Sequence, residues 1–307
     1  MAKLIAWING ERTGTLTLHH NGALHFQYDA NWLQHPLARP LSLSLPLQRA
    51  AMHSEKVVHF FENLLYPSTL IEKDFYPTHP IKSCEVFAAL QKVGHTLPGA
   101  LSMLPAKRQP VAPDQATHSI FTPADEAQQF DIDNAYLCLS LARELTIPVP
   151  DAVLVHENGI RKLRTERYDR RWRHDGQHLY HLPEEDVCQA LGVPLSGRDE
   201  QQGGPGIDDI MALLMGSSSA MKDREDLMRC LVFQWLTGIT RVNAKHLSLL
   251  IARGGSFRLA PFKHLLSACP GLSLRTTDRR DFQLGIGLTG PEGKQHHIDA
   301  IGPAHFL

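Results

Sequence analysis

The sequence predicts an α+β protein of two unequal lobes, a small β-rich one followed by a larger, mainly helical one. Three observations carry this expectation. The first 49 residues read as strands, a helical pattern follows from residue 55, and a polar, proline-bearing stretch from 105 to about 129 precedes a second run of hairpins and apolar helices. The lobes are accordingly expected at residues 1-108 and 131-307, with 109-130 as linker.

In the small lobe, residues 4–9 and 15–19 are predicted strands around a turn at 10–14. Asn21-Gly22 supplies a type I′ hairpin turn into a third strand at 23–28, because both residue types tolerate positive φ. Residues 41–45 alternate serine and leucine, the period of a half-buried strand, and Pro46 ends it at an edge. Val57, Val58, Phe61, Leu64 and Leu65 share one helical face, as do Val86, Phe87, Leu90 and Val93, and residues 97–104 return to strand. In the large lobe, Asp133 caps a helix that Pro148 stops from continuing, and Asn158-Gly159 turns a hairpin between 153–156 and 160–166. Residues 207–215 and 227–236 read as apolar helices, with Leu227, Met228, Leu231, Val232, Trp235 and Leu236 as a buried stripe. A last hairpin, 246–251 with 257–262, turns at Gly254-Gly255.

Bulk properties exclude several classes. At 307 residues with 43% hydrophobic content the chain can bury a large core, and a net charge of −1 gives no global field towards nucleic acid or anionic membrane. The basic run at 275–280 reads as solvated surface. The five cysteines are scattered without a C-x-x-C pair, so no zinc knuckle or disulfide framework is indicated, and Cys138 and Cys230 read as core. No apolar run approaches 18 residues, and the first residues begin a strand and not a signal peptide. A cytoplasmic protein without membrane contact is expected.

The most informative stretch is 233–251, an apolar helix running into a short loop and then a strand. With the hairpins on either side, this is the order of a protein-kinase-like large lobe. There the loop would carry an aspartate base with a metal-binding asparagine five residues later. Arg241 and His246 occupy those two positions, and the residues just after the last hairpin would carry a second metal-binding aspartate.

The chain resembles the HipA family, the serine/threonine kinase toxins of HipB–HipA toxin–antitoxin pairs. The resemblance rests on Asn9-Gly-Glu-Arg-Thr-Gly-Thr-Leu16, Phe26-Gln-Tyr-Asp29, Arg39-Pro-Leu-Ser-Leu-Ser-Leu-Pro46 and Phe60-Phe-Glu-Asn-Leu-Leu-Tyr-Pro67 in the small lobe. In the large lobe it rests on Thr165-Glu-Arg-Tyr-Asp-Arg170, Leu182-Pro-Glu-Glu-Asp-Val-Cys-Gln189, Gly203-Gly-Pro-Gly206 and Leu214-Met-Gly-Ser-Ser218. It implies a HipA-like fold, ATP and Mg²⁺ as cofactors of an active member, and Glu166 and Tyr168 in the hinge that contacts adenine. It also implies a HipB-like helix-turn-helix antitoxin as partner through the small lobe, with DNA reached only through that partner. The departures from the family pattern fall on the chemistry. Its catalytic loop, approximately Asp-Gly-His-Ala-Lys-Asn, reads Arg241-Val-Asn-Ala-Lys-His246 here, and its metal-binding aspartate, which follows Pro-Phe-Tyr, is matched by His264 after Pro261-Phe262-Lys263. The phosphate-binding lysine is matched by Phe121 and the acid of the following helix by Ala135. The glycine-containing phosphate loop has no counterpart between 105 and 117, and the chain stops at 307 where members continue into further helices, which is expected to expose apolar surface.

Guanidinium stays protonated, so Arg241 cannot act as a base, and imidazoles at 246 and 264 remove two hard oxygen ligands for Mg²⁺. A transition metal held by His246 and His264 would be short of ligands, so no metal site is assigned. Lys245 beside Arg241 reads as surface charge, with metal-free phosphate binding as the alternative. No catalytic residue is expected to be intact. The expected function is a HipA-like pseudokinase that keeps partner binding, with an active kinase toxin acting on a translation-related protein as the alternative.

Overall fold

The computed structural model describes residues 1–66, 81–97, 99–110, 115–172, 176–269 and Ile286. The basic run at 275–280 and the last residues of the chain lie outside that set.

The small lobe contains strands β1 (Ala2–Ile8), β2 (Glu11–Leu18), β3 (Leu24–Tyr28) and, after helices α1 (Ala30–Gln34), α2 (Glu55–Leu65) and α3 (Ser83–Val93), strand β4 (Leu101–Pro105). They form one antiparallel sheet in the order β3-β2-β1-β4. Alternation places Leu4, Ala6, Ile8, Leu16 and Phe26 on one face, where Val57, Phe60, Phe61 and Leu64 of α2 and Val86, Phe87 and Leu90 of α3 cover them.

Two turns depart from the sequence reading. The first tight turn is Asn9-Gly10, both with positive φ, so β2 begins at Glu11 and not after Gly14. At Asn21-Gly22 only Gly22 has positive φ, and the chain closes a wider loop in which His19 N donates to Ala23 O at 2.9 Å. Residues 41–45 form a turn and not a strand. Ser44 N donates to Ser42 Oγ at 3.0 Å, and both hydroxyls reach Gln189 O in the other lobe, so local and interlobe hydrogen bonds override the alternating pattern.

The large lobe begins inside the expected linker. Strand β5 (His118–Phe121) pairs with β7 (Ile160–Glu166), which pairs with β6 (Ala152–Glu157). Between them runs α4 (Glu126–Glu144), capped by Asp125, whose side chain accepts from Gln128 N at 2.8 Å. Asp133 is therefore mid-helix, bound to Arg161, and not a cap. Asn158-Gly159 makes the expected two-residue turn, both residues with positive φ. Strands β8 (Arg170–Trp172) and β9 (Leu179–His181) form a hairpin. Next come β10 (Glu184–Asp186), α5 (Val187–Leu191), α6 (Ile207–Leu214), α7 (Ala220–Thr237), β11 (Ser248–Ile251) and β12 (Phe257–Leu259), with sheet order β10-β11-β12. Of the stripe expected to be buried on α7, Leu227 and Leu231 are buried with Cys230 and Phe233, whereas Met228, Val232 and Leu236 are exposed.

The two lobes meet along a buried polar seam centred on α2. Asn63 Nδ2 donates to Val193 O at 2.9 Å, Gln189 Nε2 donates to Phe60 O at 3.1 Å, and Asn9 exchanges two hydrogen bonds with the His181 backbone. One carboxylate from each lobe accepts a backbone amide of the other: Glu62 from Leu195 N at 2.7 Å, and Glu185 from Leu43 N at 2.9 Å. At its centre lies Lys245, with no solvent exposure. Its Nζ is 2.8 Å from both Asn63 O and Asp186 Oδ2. The sequence reading of Lys245 as surface charge is thus overturned. A four-carbon stem allows the ammonium to cross from one lobe to the other.

Lys245→Met would leave Asp186 buried without its cation, so destabilisation of about 3–5 kcal/mol is expected in equilibrium denaturation. A loss below about 1 kcal/mol would show that the pair contributes little.

Candidate functional site

Between the lobes lies a cleft of about 790 Å³. Its floor is β10, the loop before β11 and the segment after β12; residues 166–170 and β9 form one wall. Each of these segments follows from local sequence. Gly238 ends α7 in the left-handed conformation, the Asn243 side chain caps a short turn at Ala244–His246 by accepting from Lys245 N at 3.0 Å, and Asp186 caps α5.

Glu166 and Tyr168 both line the cleft. Glu166 is exposed at the end of β7, its backbone N–H donating to Asp151 O at 2.7 Å. Tyr168 donates its hydroxyl to Glu184 Oε1 at 3.0 Å. Lys263 joins the same carboxylate, with its Nζ 5.5 Å from the centre of the Tyr168 ring. Burial alone would lower the Lys263 pKa, but Glu184 and Tyr168 outweigh it and hold the ammonium charged well above its ordinary range. Burial, reinforced by the Glu184 charge, pushes the Tyr168 phenol up.

Arg241, His246 and His264 do not line this cleft. Arg241 is exposed. His246 is buried, its Nδ1 2.8 Å from Asn243 Oδ1, and Asn243 in turn donates to Asp199 at 2.6 Å. His246 and His264 do come together, their ring centres 5.2 Å apart and nearly perpendicular. Among the described residues no third histidine, cysteine or carboxylate completes a metal set. Phe121 and Ala135 both belong to the large lobe's core, Ala135 fully buried. Gly203-Gly204-Pro205-Gly206 forms the entry to α6. Gly203 is left-handed, and a Cβ on Gly204 would lie 2.2 Å from Gly197 O, so these glycines serve close backbone packing.

The cleft is rich in carboxylates. Glu184, Glu185, Asp186 and Asp169 all line it, but most are neutralised internally: Glu184 by Lys263, Asp186 by Lys245, and Asp169 by Arg167 and Arg170. Sequence reasoning missed Lys263 and the acids of β10. The consecutive run Glu184-Glu185-Asp186 was the available signal, since successive strand residues must point to opposite faces and one acid had to turn inwards. That residue is Glu185, 1% exposed and pushed up to about 8. Burial is the main cause, partly offset by the Ser42 hydroxyl and the Leu43 amide and reinforced by Asp186.

Two family models together span the chain: the HipA N-terminal domain matches residues 4–104, and the HipA-like C-terminal domain matches residues 92–300. The chain belongs to the HipA family. It is 28% identical over 364 aligned positions to Y4mE of Sinorhizobium fredii, a protein named as a candidate kinase, across 97% of this chain and 86% of that one. The alignment is longer than the chain itself, so Y4mE carries segments without a counterpart here. Among solved structures, the fold matches the Shewanella oneidensis MR-1 HipA in a toxin–antitoxin complex with HipB and operator DNA. The TM-score is 0.72 at 17% identity, over 93% of this chain and 80% of that one. The kinase-like α+β fold of HipA is therefore the fold of this protein.

Active HipA proteins are expected to use ATP with Mg²⁺, which requires several hard oxygen ligands. In this chain positions 246 and 264 offer imidazole nitrogen, and Glu184, Asp186 and Asp169 are each held by a cation. This donor set does not match magnesium.

The buried acid gives a pH dependence. Glu185 ionises near its ordinary 4.5 in the unfolded chain and at about 8 in the folded one. Between those values the folded state holds the extra proton, so its contribution to stability is full below pH 4.5 and is lost as pH rises through about 8. Unfolding free energy measured from pH 5 to 8.5 is expected to fall, and Glu185→Gln should flatten that slope. An unchanged slope in the variant would assign the pH dependence to other groups.

Proposed function

We propose that this HipA-family protein is a pseudokinase that retains the partner-binding role of a toxin–antitoxin component without phosphoryl transfer. The observation that carries the reading is the internal pairing of the cleft's acids with Lys245, Lys263, Arg167 and Arg170, alongside Arg241, His246 and His264 at the altered positions. Phosphoryl transfer depends on positioning and on neutralising charge at the γ-phosphate, mostly through Mg²⁺. Removal of single stabilising groups typically costs on the order of 10²–10³ in rate, and several are altered together here.

The partner would be a HipB-like helix-turn-helix antitoxin bound through the small lobe, with DNA contacted only through it. In support, the small lobe keeps a complete sheet and core, and the matching Shewanella structure is a complex of HipA with HipB and operator DNA. No helix among the described residues is long and apolar enough to cross a membrane.

Incubation with labelled ATP and Mg²⁺ tests the reading. The unmodified chain should transfer no label to itself or to added protein, and Mg-ATP should not raise its melting temperature. The combined Arg241→Asp, His246→Asn, His264→Asp chain, run beside it, asks whether the lost groups suffice to restore activity. Transfer by the unmodified chain would establish the alternative, an active serine/threonine kinase toxin.

A further inference from the structure

Two cysteines of the large lobe converge on one serine. Cys138 lies on α4, one helical turn after Asn134, and its Sγ donates to Asn134 Oδ1 at 3.4 Å. The same oxygen accepts from Ser267 N at 3.3 Å, and Asn134 Nδ2 donates to Ser267 O at 2.7 Å. Asn134 thus clamps the backbone of Ser267 beside the Cys138 thiol. Two residues on, Cys269 N donates to Ser267 Oγ at 3.1 Å, which folds the chain back over that serine. Cys269 Sγ donates to Thr237 O at 3.6 Å, and Ser267 Oγ donates to the same carbonyl at 2.5 Å. Each sulfur is therefore one shared acceptor away from Ser267, although the two cysteines are far apart in sequence.

The two thiols differ in access. Cys138 is 3% exposed, whereas Cys269 is open to solvent. Burial pushes the Cys138 thiol up, the Ser267 amide partly offsets this, and Cys269 adds to the rise, so the two sulfurs feel each other's charge. A thiol kept protonated and dry is inert towards oxidants, and an exposed one is not. The remaining cysteines stand apart from this arrangement. Cys188 and Cys230 are buried on α5 and α7, and Cys84 is exposed on α3 of the other lobe.

We propose that Cys138 and Cys269 form a reversible, peroxide-driven disulfide that ties α4 to the segment after β12. The Cys269 sulfur attacks one oxygen of hydrogen peroxide, the O–O bond breaks, Cys269 becomes a sulfenic acid and water leaves. The Cys138 sulfur then attacks the Cys269 sulfur. The S–S bond forms, the S–O bond breaks, and the hydroxyl leaves with the Cys138 proton as a second water. Two thiols are thereby oxidised, and one peroxide is reduced to two waters. A dithiol reductant reverses the step by exchange. A disulfide brings its two Cβ atoms to about 3.8 Å, and the exposed Cys269, released from its long contact to Thr237 O, is the side that turns. Lys263 and His264 lie between β12 and Ser267, so the oxidised form fastens at its far end the segment that carries Lys263 into the cleft. The link closes a long loop and stabilises the fold chiefly through the unfolded chain. This inference is independent of whether the protein transfers phosphate.

Peptide mapping of the full chain tests it. Protein freed of reductant is treated with hydrogen peroxide, digested without reduction and read by mass spectrometry. A link between Cys138 and Cys269 should be the dominant pairing, with Cys188 and Cys230 still open to alkylation after unfolding. Its yield should not change with protein concentration, and dithiothreitol should erase both the link and an accompanying rise in melting temperature. Cys269→Ser, at an exposed position, should lower oxidation of Cys138 by about tenfold or more. Cys138→Ser should leave a sulfenic acid on Cys269 that dimedone traps. Absence of the link in the unmodified chain would overturn the proposal. So would a yield that rises with protein concentration, which assigns Cys269 to a second copy, or Cys138 oxidation unchanged in Cys269→Ser.

Discussion

The buried ammonium of Lys245 is the constraint around which the rest of the molecule is arranged. A charge with no access to water is tolerated only where fixed oxygens replace its hydration, and here they come from both lobes: the Asn63 carbonyl and the Asp186 carboxylate. That requirement fixes the position of α2 over α5, because Asn63 lies on the first and Asp186 caps the second. The neighbouring bonds, Glu62 to Leu195 and Glu185 to Leu43, fall into register once that contact is made. Hydrogen bonds of fixed geometry thus run the length of the contact between the lobes.

The same pairing logic shapes the cleft. In a phosphotransferase, carboxylates facing the cleft keep their lone pairs available for a metal. In this chain Lys263 projects from the segment after β12 onto Glu184 and Tyr168, and Arg167 and Arg170 close on Asp169. Acidic residues persist, but their charge is neutralised from within. The loop before β11 is organised by Asn243, which bonds Lys245, His246 and Asp199 together and caps the turn at Ala244–His246.

Much of the architecture was legible because it depends on short-range pattern. The α2 and α3 faces follow from apolar spacing, and Asn158-Gly159 was readable because two adjacent positive-φ residues suffice for its turn. What escaped depends on distant partners. Residues 41–45 look like a strand until Gln189 O is placed beside the two serines, and Lys245 looks like surface charge until Asn63 arrives from the other lobe. The stripe on α7 was misjudged for a related reason. Helical periodicity marks an apolar face, but α7 has two, and only one of them meets the core described here. The identities at 241, 246 and 264 were readable residue by residue, whereas the neutralisation of the cleft by Lys263 required the fold.

Although two separate domain models describe this chain, the seam makes the lobes poor candidates for modular exchange. Either half alone would present Glu62, Asn63, Glu185 and Lys245 without the groups that satisfy them. A chimera that grafted this small lobe onto another family member would have to transplant the facing segment, from β10 through residue 195 together with residue 245, as a single inherited unit.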